Sequence, residues 1–231
     1  MYESRLRENL PRVEERISRA VETSGRAMPV TVVAVTKGHP LAALEAALVC
    51  GLADLGENRV GELEWKHAEL SDRQVRWHLI GHLQRNKVRK ALPLFDLLHS
   101  VGSLRLAEEV SKEGERVGRR VEVLVQVNAS GEEAKGGLDV ESAQATIVKI
   151  VEMPTLHVRG LMTMAPFTDD EAVLRRTFRR TRELFDACAR QVEGFSATDL
   201  SMGMSNDYEI AVEEGSTMVR LGTALFGERT Q

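Results

Sequence analysis

Three short stretches hold residues whose types and spacing suit chemistry. In VAVTKGHP, Val33 to Pro40, a run of strand-forming residues ends in Lys37 before a glycine and a proline break the chain. An amine at the rim of a core is a nucleophile toward carbonyls, because desolvation lowers its pKa and frees the neutral form. The plain alternative is a strand end meeting water. In SMGMSND, Gly203 precedes Ser205, Asn206 and Asp207 ahead of a helical run, so Ser205 is expected to cap that helix. A helix start offers free N–H groups and a positive dipole end, which suit a phosphate. In RLGTALFG, Gly222 lets the backbone approach a ligand and Thr223 adds a hydroxyl. Singly, a cap and a turn explain these residues. Placed together, they read as an anion cradle.

These residues need elements to position them. Short apolar runs alternate with longer amphipathic ones. Strands are expected at 30–36, 53–56, 76–80, 95–100, 121–127, 156–162, 197–201 and 217–221. Helices are expected at 40–50, 58–70, 84–92, 103–118, 139–152, 171–192 and 206–214, with a closing turn near 223–229. An extra N-terminal helix over 3–24 has Leu6, Leu10, Val13, Ile17, Ala20 and Val21 at helical spacing. Alternation fits either an open doubly wound sheet or a closed barrel. Eight strands, and no GxGxxG after the first, favour a (β/α)8 TIM barrel of the α/β class. No linker divides residues 1–231, which read as one domain.

A barrel presents its chemistry at the C-terminal ends of its strands. Those ends here carry Lys37, Glu57-Asn58, His78, His82, His99, Gln126, Asn128, Met162 to Met164, Ser201 to Ser205 and Arg220 to Thr223. The cradle then follows strands seven and eight, which flank the first around a closed barrel. A lysine beside a phosphate anchor suggests an aldehyde phosphate held as an imine. An aldolase-type lysine is the rival, with Glu57 the only obvious acid at the mouth. Met202 and Met204 are expected to line the cradle. Arg220 stands two residues before Gly222, so both belong to one side of the strand. Pairing of Arg220 with Glu213 or Glu214 is the alternative.

The net charge of −4, with acids and bases interspersed, supports no binding of nucleic acid or of an anionic membrane. No apolar run approaches the ~18 residues that span a bilayer, and the charged N-terminal stretch has no signal-like core, so a cytoplasmic protein is expected. Cys50 and Cys188 read as reduced, buried thiols. His78, His82 and His99 match no zinc spacing and are expected to make supporting hydrogen bonds. The basic run Arg85 to Lys90 reads as a solvated helix face. The loop Ser130 to Gly137 reads either as a lid, with Lys135 meeting an anion, or as a plain solvent loop.

Seven motifs, AVTKGHP, GENRVGE, WHLIGHLQRNK, HSVGS, VQVNASGEEAKGGL, RGLMTMAP and LSMGMSNDYEIAVEEGSTMVRLGTALFG, follow in order along nearly the whole chain. Together they resemble the pyridoxal phosphate homeostasis protein family. The resemblance implies a barrel like the N-terminal domain of alanine racemase, in the fold-type III arrangement, with pyridoxal 5'-phosphate as cofactor. It implies that Lys37 is the Schiff-base lysine and that Ser205, Gly222 and Thr223 hold the phosphate. Arg220 would face the pyridine nitrogen and Asn58 the ring's edge, with Ser201 and Met204 beside them. Thr36 and Gly38-His39 stand where the family often has serine and threonine-lysine. The implied role is a monomeric carrier without robust turnover, with apoenzymes that require the cofactor as partners. A racemase is the alternative. Racemisation needs a base on each face, and neither Tyr2 nor Tyr208 is an obvious second base.

Overall fold

The computed structural model describes residues 1–26, 29–132 and 135–228. Eight strands close into an all-parallel barrel: β1 (Thr31–Val35), β2 (Asp54–Glu57), β3 (Arg76–Leu79), β4 (Leu97–Val101), β5 (Val121–Asn128), β7 (Leu156–Met162), β8 (Asp199–Ser201) and β9 (Met218–Leu221). The β4–β5 pairing and the β1–β9 pairing complete the ring. Each of the eight expected strands forms, within two residues of its expected bounds. An unexpected two-residue strand, β6 (Leu138–Asp139), pairs with β5 outside the ring.

Period-two alternation divides the core. Val33, Leu97, Leu124, Met162 and Met218 form a small apolar cluster inside the barrel. Their strand neighbours, such as Ala34, Leu98, Val123, Leu161 and Val219, join the larger core between sheet and helices. Other inward positions are polar, among them His78, His99, Ser201 and Arg220, all buried.

The outer layer comprises α2 (Leu41–Val49), α3 (Val60–Glu69), α4 (Val88–Ala91), α5 (Leu104–Val117), α6 (Val140–Val151), α7 (Glu171–Gln191), α8 (Tyr208–Glu213) and α9 (Thr223–Phe226). Boundaries follow local chemistry. Ser103 caps α5 through the Leu106 N–H and Gly118 ends it in the left-handed region; Asp170 caps α7 through the N–H groups of Ala172 and Val173. The helix expected over 84–92 is instead broken into a 3-10 turn, the single turn α4 and a second 3-10 turn containing Pro93.

The expected N-terminal helix is α1 (Tyr2–Ser24). It buries Leu6, Leu10, Val13, Ile17 and Ala20 and packs on α2, α8 and α9. The last helix has only four residues, and α1 accepts its exposed end: Arg5 Nη1 donates to Phe226 O (2.6 Å) and Asn9 Nδ2 to Leu225 O (3.0 Å). Cys188 is buried, and burial pushes its thiol up to about 11; Cys50 is half-exposed just after α2, not buried as expected. No helix among the described residues is long and apolar enough to cross a membrane.

Candidate functional site

At the C-terminal end of the barrel lies a cavity of about 940 Å³. Of the candidate residues, Lys37, Asn58, Met204, Ser205, Arg220, Gly222 and Thr223 line it. Ser201 does not; it is fully buried in the barrel interior and touches Arg220.

The cradle is built from two turns. After β8, Gly203 takes a φ of +95°, where a Cβ would come within 2.9 Å of the Tyr208 Cα. This lets the chain reverse so that the Met204 N–H donates to Asp207 Oδ1 (2.5 Å). Burial pushes the Asp207 carboxyl up, opposed by that N–H and by the charge of Arg220. The reversal delays the helix: α8 begins at Tyr208, and Ser205 is not its cap. Ser205 Oγ instead accepts from Ala224 N (3.1 Å), joining the β8 turn to the start of α9. The backbone N–H groups of Ser205, Asn206, Gly222 and Thr223 have no hydrogen-bond partner among the described residues, and all four residues line the cavity. Four unpartnered N–H groups on residues that line one cavity are the kind of donor set that suits an anion. Met202 is buried in the core, whereas Met204 reaches the cavity, as does Met164.

Lys37 sits half-buried at the tip of the turn that follows β1. A buried charge cluster clamps that turn. Lys66, on α3 and fully buried, donates to Thr36 O (2.7 Å), Glu57 Oε1 (2.6 Å) and Glu62 Oε1 (2.8 Å). Glu57 Oε1 also accepts from the Thr36 hydroxyl (2.6 Å), and Glu62 Oε1 from the Gly38 N–H (2.5 Å). Burial pushes the Glu57 carboxyl up against these bonds. Glu62 is held low: its partial burial is outweighed by the Lys66 ammonium and the Gly38 N–H. Glu57 is therefore not an acid at the mouth. It ends β2 on the outward face, toward α3, and does not line the cavity.

Arg220 is buried beneath the cradle but reaches the cavity. Its Nη1 donates to Ser201 Oγ (2.6 Å) and its Nη2 to Thr163 O (2.8 Å). Burial lowers its pKa to about 10, partly offset by Asp207, so it stays charged at neutral pH. Glu213 and Glu214 pair with Arg175 and Arg179 instead of Arg220. Asn58 is fixed by a close approach: a Cβ on Gly81 would lie 2.2 Å from Asn58 O.

A further part of the wall joins His82 and Gln126, expected at strand ends, to Arg85, expected on a solvated helix face, and to Ser100 and Arg105. Arg85 and Arg105 lie several residues beyond strand ends, at the start of a 3-10 turn and of α5, whose direction a strand pattern does not specify. Of the expected loop Ser130 to Gly137, residues 133 and 134 lie outside the described residues. Lys135 lines the cavity and pairs with Glu132 (2.5 Å). His78 and His99 make supporting hydrogen bonds inside the barrel, whereas His82 sits on the cavity wall.

Two relatives cover essentially the whole chain. The pyridoxal phosphate homeostasis protein of Aquifex aeolicus is 40% identical over 223 residues, covering 96% of this chain and 97% of its own. That of Pseudomonas aeruginosa is 40% identical over 228 residues, covering 98% and 96%. This chain belongs to the pyridoxal phosphate homeostasis protein family. The family description that matches residues 4–230 is alanine racemase, N-terminal domain. Among solved structures, PipY of Synechococcus elongatus with PLP bound is 37% identical, with a TM-score of 0.81 over 91% of this chain and 100% of that one. An alanine racemase from Clostridium difficile shares the fold alone: 13% identity and a TM-score of 0.79, over 99% of this chain and 60% of the racemase. The homeostasis-family barrel is thus an alanine-racemase-like TIM barrel.

Proposed function

We propose that this chain binds pyridoxal 5'-phosphate, holds it on Lys37 and serves as an intracellular reserve that passes it to apoenzymes, without sustained turnover of amino acids. The observation that carries the reading is the set of four unpartnered N–H groups at Ser205, Asn206, Gly222 and Thr223. They follow β8 and β9, and β9 pairs directly with the strand that leads to Lys37. The donor set matches a phosphate dianion, which accepts several charge-assisted hydrogen bonds at once.

Bound there, the cofactor would supply an aldehyde, and the amine placed to meet it would be that of Lys37 in its neutral form. The chain's residues supply the rest. The Lys66 cluster fixes the Lys37 turn, so the amine is presented from a rigid strand end. Ser205, bonded to Ala224 N through its oxygen, keeps its hydroxyl proton for the phosphate. Two of the five N–H donors of Arg220 are held by Ser201 and Thr163, which leaves the others for the ring side. Arginine donates and does not surrender its proton, so it favours an unprotonated ring nitrogen, a poorer electron sink than a pyridinium.

That electronic setting suits a carrier. So does the position of the tyrosines: neither lines the cavity. Tyr2 packs edge-on against His39 and Phe226, and Tyr208 is buried beside α1 with no hydrogen-bond partner for its hydroxyl among the described residues.

The test is direct. The purified protein should be yellow, and borohydride should fix the cofactor on the peptide carrying Lys37. Labelling of another lysine would overturn the assignment. Racemisation of any amino acid at about 1 per second or faster, a rate ordinary for enzymes, would overturn the carrier role.

A further inference from the structure

Five side chains form an unbroken line through the barrel interior. Asp54 opens β2 at the end of the barrel away from the mouth. Its Oδ1 lies 2.8 Å from His78 Nε2, and His78 Nδ1 lies 2.8 Å from His99 Nε2. His99 Nδ1 lies 3.1 Å from Ser201 Oγ, which accepts from Arg220 Nη1 at 2.6 Å. Both imidazoles and Ser201 are fully buried.

The two ends set the direction of every bond between them. A carboxylate only accepts and a guanidinium only donates, whereas a hydroxyl and a neutral imidazole each pass one bond on. Arg220 donates to Ser201, so the serine hydroxyl donates to His99 Nδ1. His99 then donates from Nε2 to His78 Nδ1, and His78 from Nε2 to Asp54. One proton occupies each of the four links. Reversing any link sets two donors or two acceptors face to face among side chains buried from solvent.

We propose that Asp54, His78, His99 and Ser201 are positioning residues for Arg220, a one-way hydrogen-bond chain that holds both histidines neutral as Nε2–H tautomers and aims the guanidinium at the mouth. Its role toward a cofactor ring rests on the function proposed above; the chain itself does not. The surroundings agree. Burial pushes the pKa of His78 below the usual range despite Asp54 and Asp96, with Arg76 acting in the same direction as burial. Burial lowers His99 further, aided by His78, Arg220 and Arg76.

A proton added to His78 would have to sit on Nδ1, facing His99. His99 would then turn its own proton toward Ser201, whose oxygen already accepts from Arg220. The serine oxygen would then accept from two donors while its own proton lost its acceptor in a buried site, which strains the link to Arg220. Charge at the closed end of the barrel is thereby coupled to the geometry of the mouth.

Nitrogen-15 imidazole spectra of the cofactor-free protein test this. At pH 7.5 both histidines should carry a single proton, on Nε2, and should stay neutral through the range where an ordinary histidine takes up its second proton, about pH 6.5. In Ser201→Ala the His99 Nδ1 resonance should move to that of an unbonded acceptor while His78 is unchanged. In Asp54→Ala the His78 tautomer should become mixed, and affinity for pyridoxal phosphate should fall roughly 3- to 10-fold, about one hydrogen bond. An Nδ1–H tautomer or an imidazolium on either histidine of the wild-type protein at pH 7.5 would overturn the proposal. So would an Asp54→Ala protein with wild-type tautomers and affinity. Wild-type protein that shows the expected tautomers yet binds no cofactor would defeat the proposed function and leave the chain standing.

Discussion

The clamp under the lysine turn can be tested by replacing Lys66 with methionine. The substitution keeps most of the aliphatic stem and deletes an ammonium that serves three acceptors at 2.6 to 2.8 Å. Glu57 would remain in a fully buried position with only the Thr36 hydroxyl as donor, and the Thr36 carbonyl would keep only the His39 N–H. Removing one member of a buried ion pair costs about 3–5 kcal/mol. For a chain of this size each kcal/mol is worth about 2–4 °C, so the melting temperature should fall by roughly 6–20 °C. The loss should shrink as pH is lowered from about 7.5 to 5.5. Burial already raises the Glu57 pKa, and a carboxyl with a raised folded-state pKa favours the folded state below its unfolded value and loses that advantage as pH rises. Adding Glu57→Gln should recover about half of the loss or more, because a neutral amide needs no counter-charge. Calorimetry of the cofactor-free single and double variants across that pH range is the assay. A loss under about 1 kcal/mol, as expected for an exposed pair, or a loss that grows as pH falls, would refute the reasoning.

Pyridoxal lacking its phosphate should bind at least about tenfold more weakly than the phosphorylated form, since each charge-assisted bond in the cradle is worth about 1.5–3 kcal/mol; titration calorimetry of both ligands checks it. Gly81→Ala should destabilise by about 1–3 kcal/mol and weaken binding, because the added Cβ must displace Asn58 O from 2.2 Å; thermal melts read the first effect and affinity the second. Buried His78 and His99 have folded-state pKa values below the unfolded one, so the unfolded chain binds more protons as pH falls below about 6.5. Glu57 and Asp207, raised by burial, act in the opposite sense. The histidine part is therefore the difference between wild type and His99→Gln: wild type should lose stability relative to the variant between about pH 6.5 and 5.

Much of the architecture was legible because a buried parallel strand writes itself as an apolar run, and eight such runs separated by amphipathic segments leave few arrangements. Lys37, Ser205 and Gly222 were legible for a related reason: they are polar or small residues at strand ends, where a barrel opens. What depended on three-dimensional closure was not. Ser205 has the composition of a helix cap, yet the Gly203 reversal and the Asp207 carboxylate start α8 later and free Ser205 to meet Ala224. Glu57 reads as an acid at the mouth, but one step of strand alternation turns it outward, onto Lys66. Glu62 and Lys66 have the spacing of an ordinary surface pair on a helix; only the packing of α3 shows the lysine to be sealed. Residues 54, 78, 99, 201 and 220 lie on five different strands, so no local spacing announces them as one chain.

The contact between the first and last helices bears on when the site comes into being. Arg5 and Asn9 meet the end of α9 across sequence separations of 221 and 216 residues. Bringing such distant segments together carries a loop-closure cost that local pairing does not, and contacts of this kind form late. Thr223, the first residue of that small helix, supplies one of the cradle's N–H groups. During folding, a half-built barrel therefore lacks its full grip on phosphate, and the grip is completed when the ring is joined. On the proposed function, a cofactor with a reactive aldehyde would be captured by finished molecules and passed over by those still assembling.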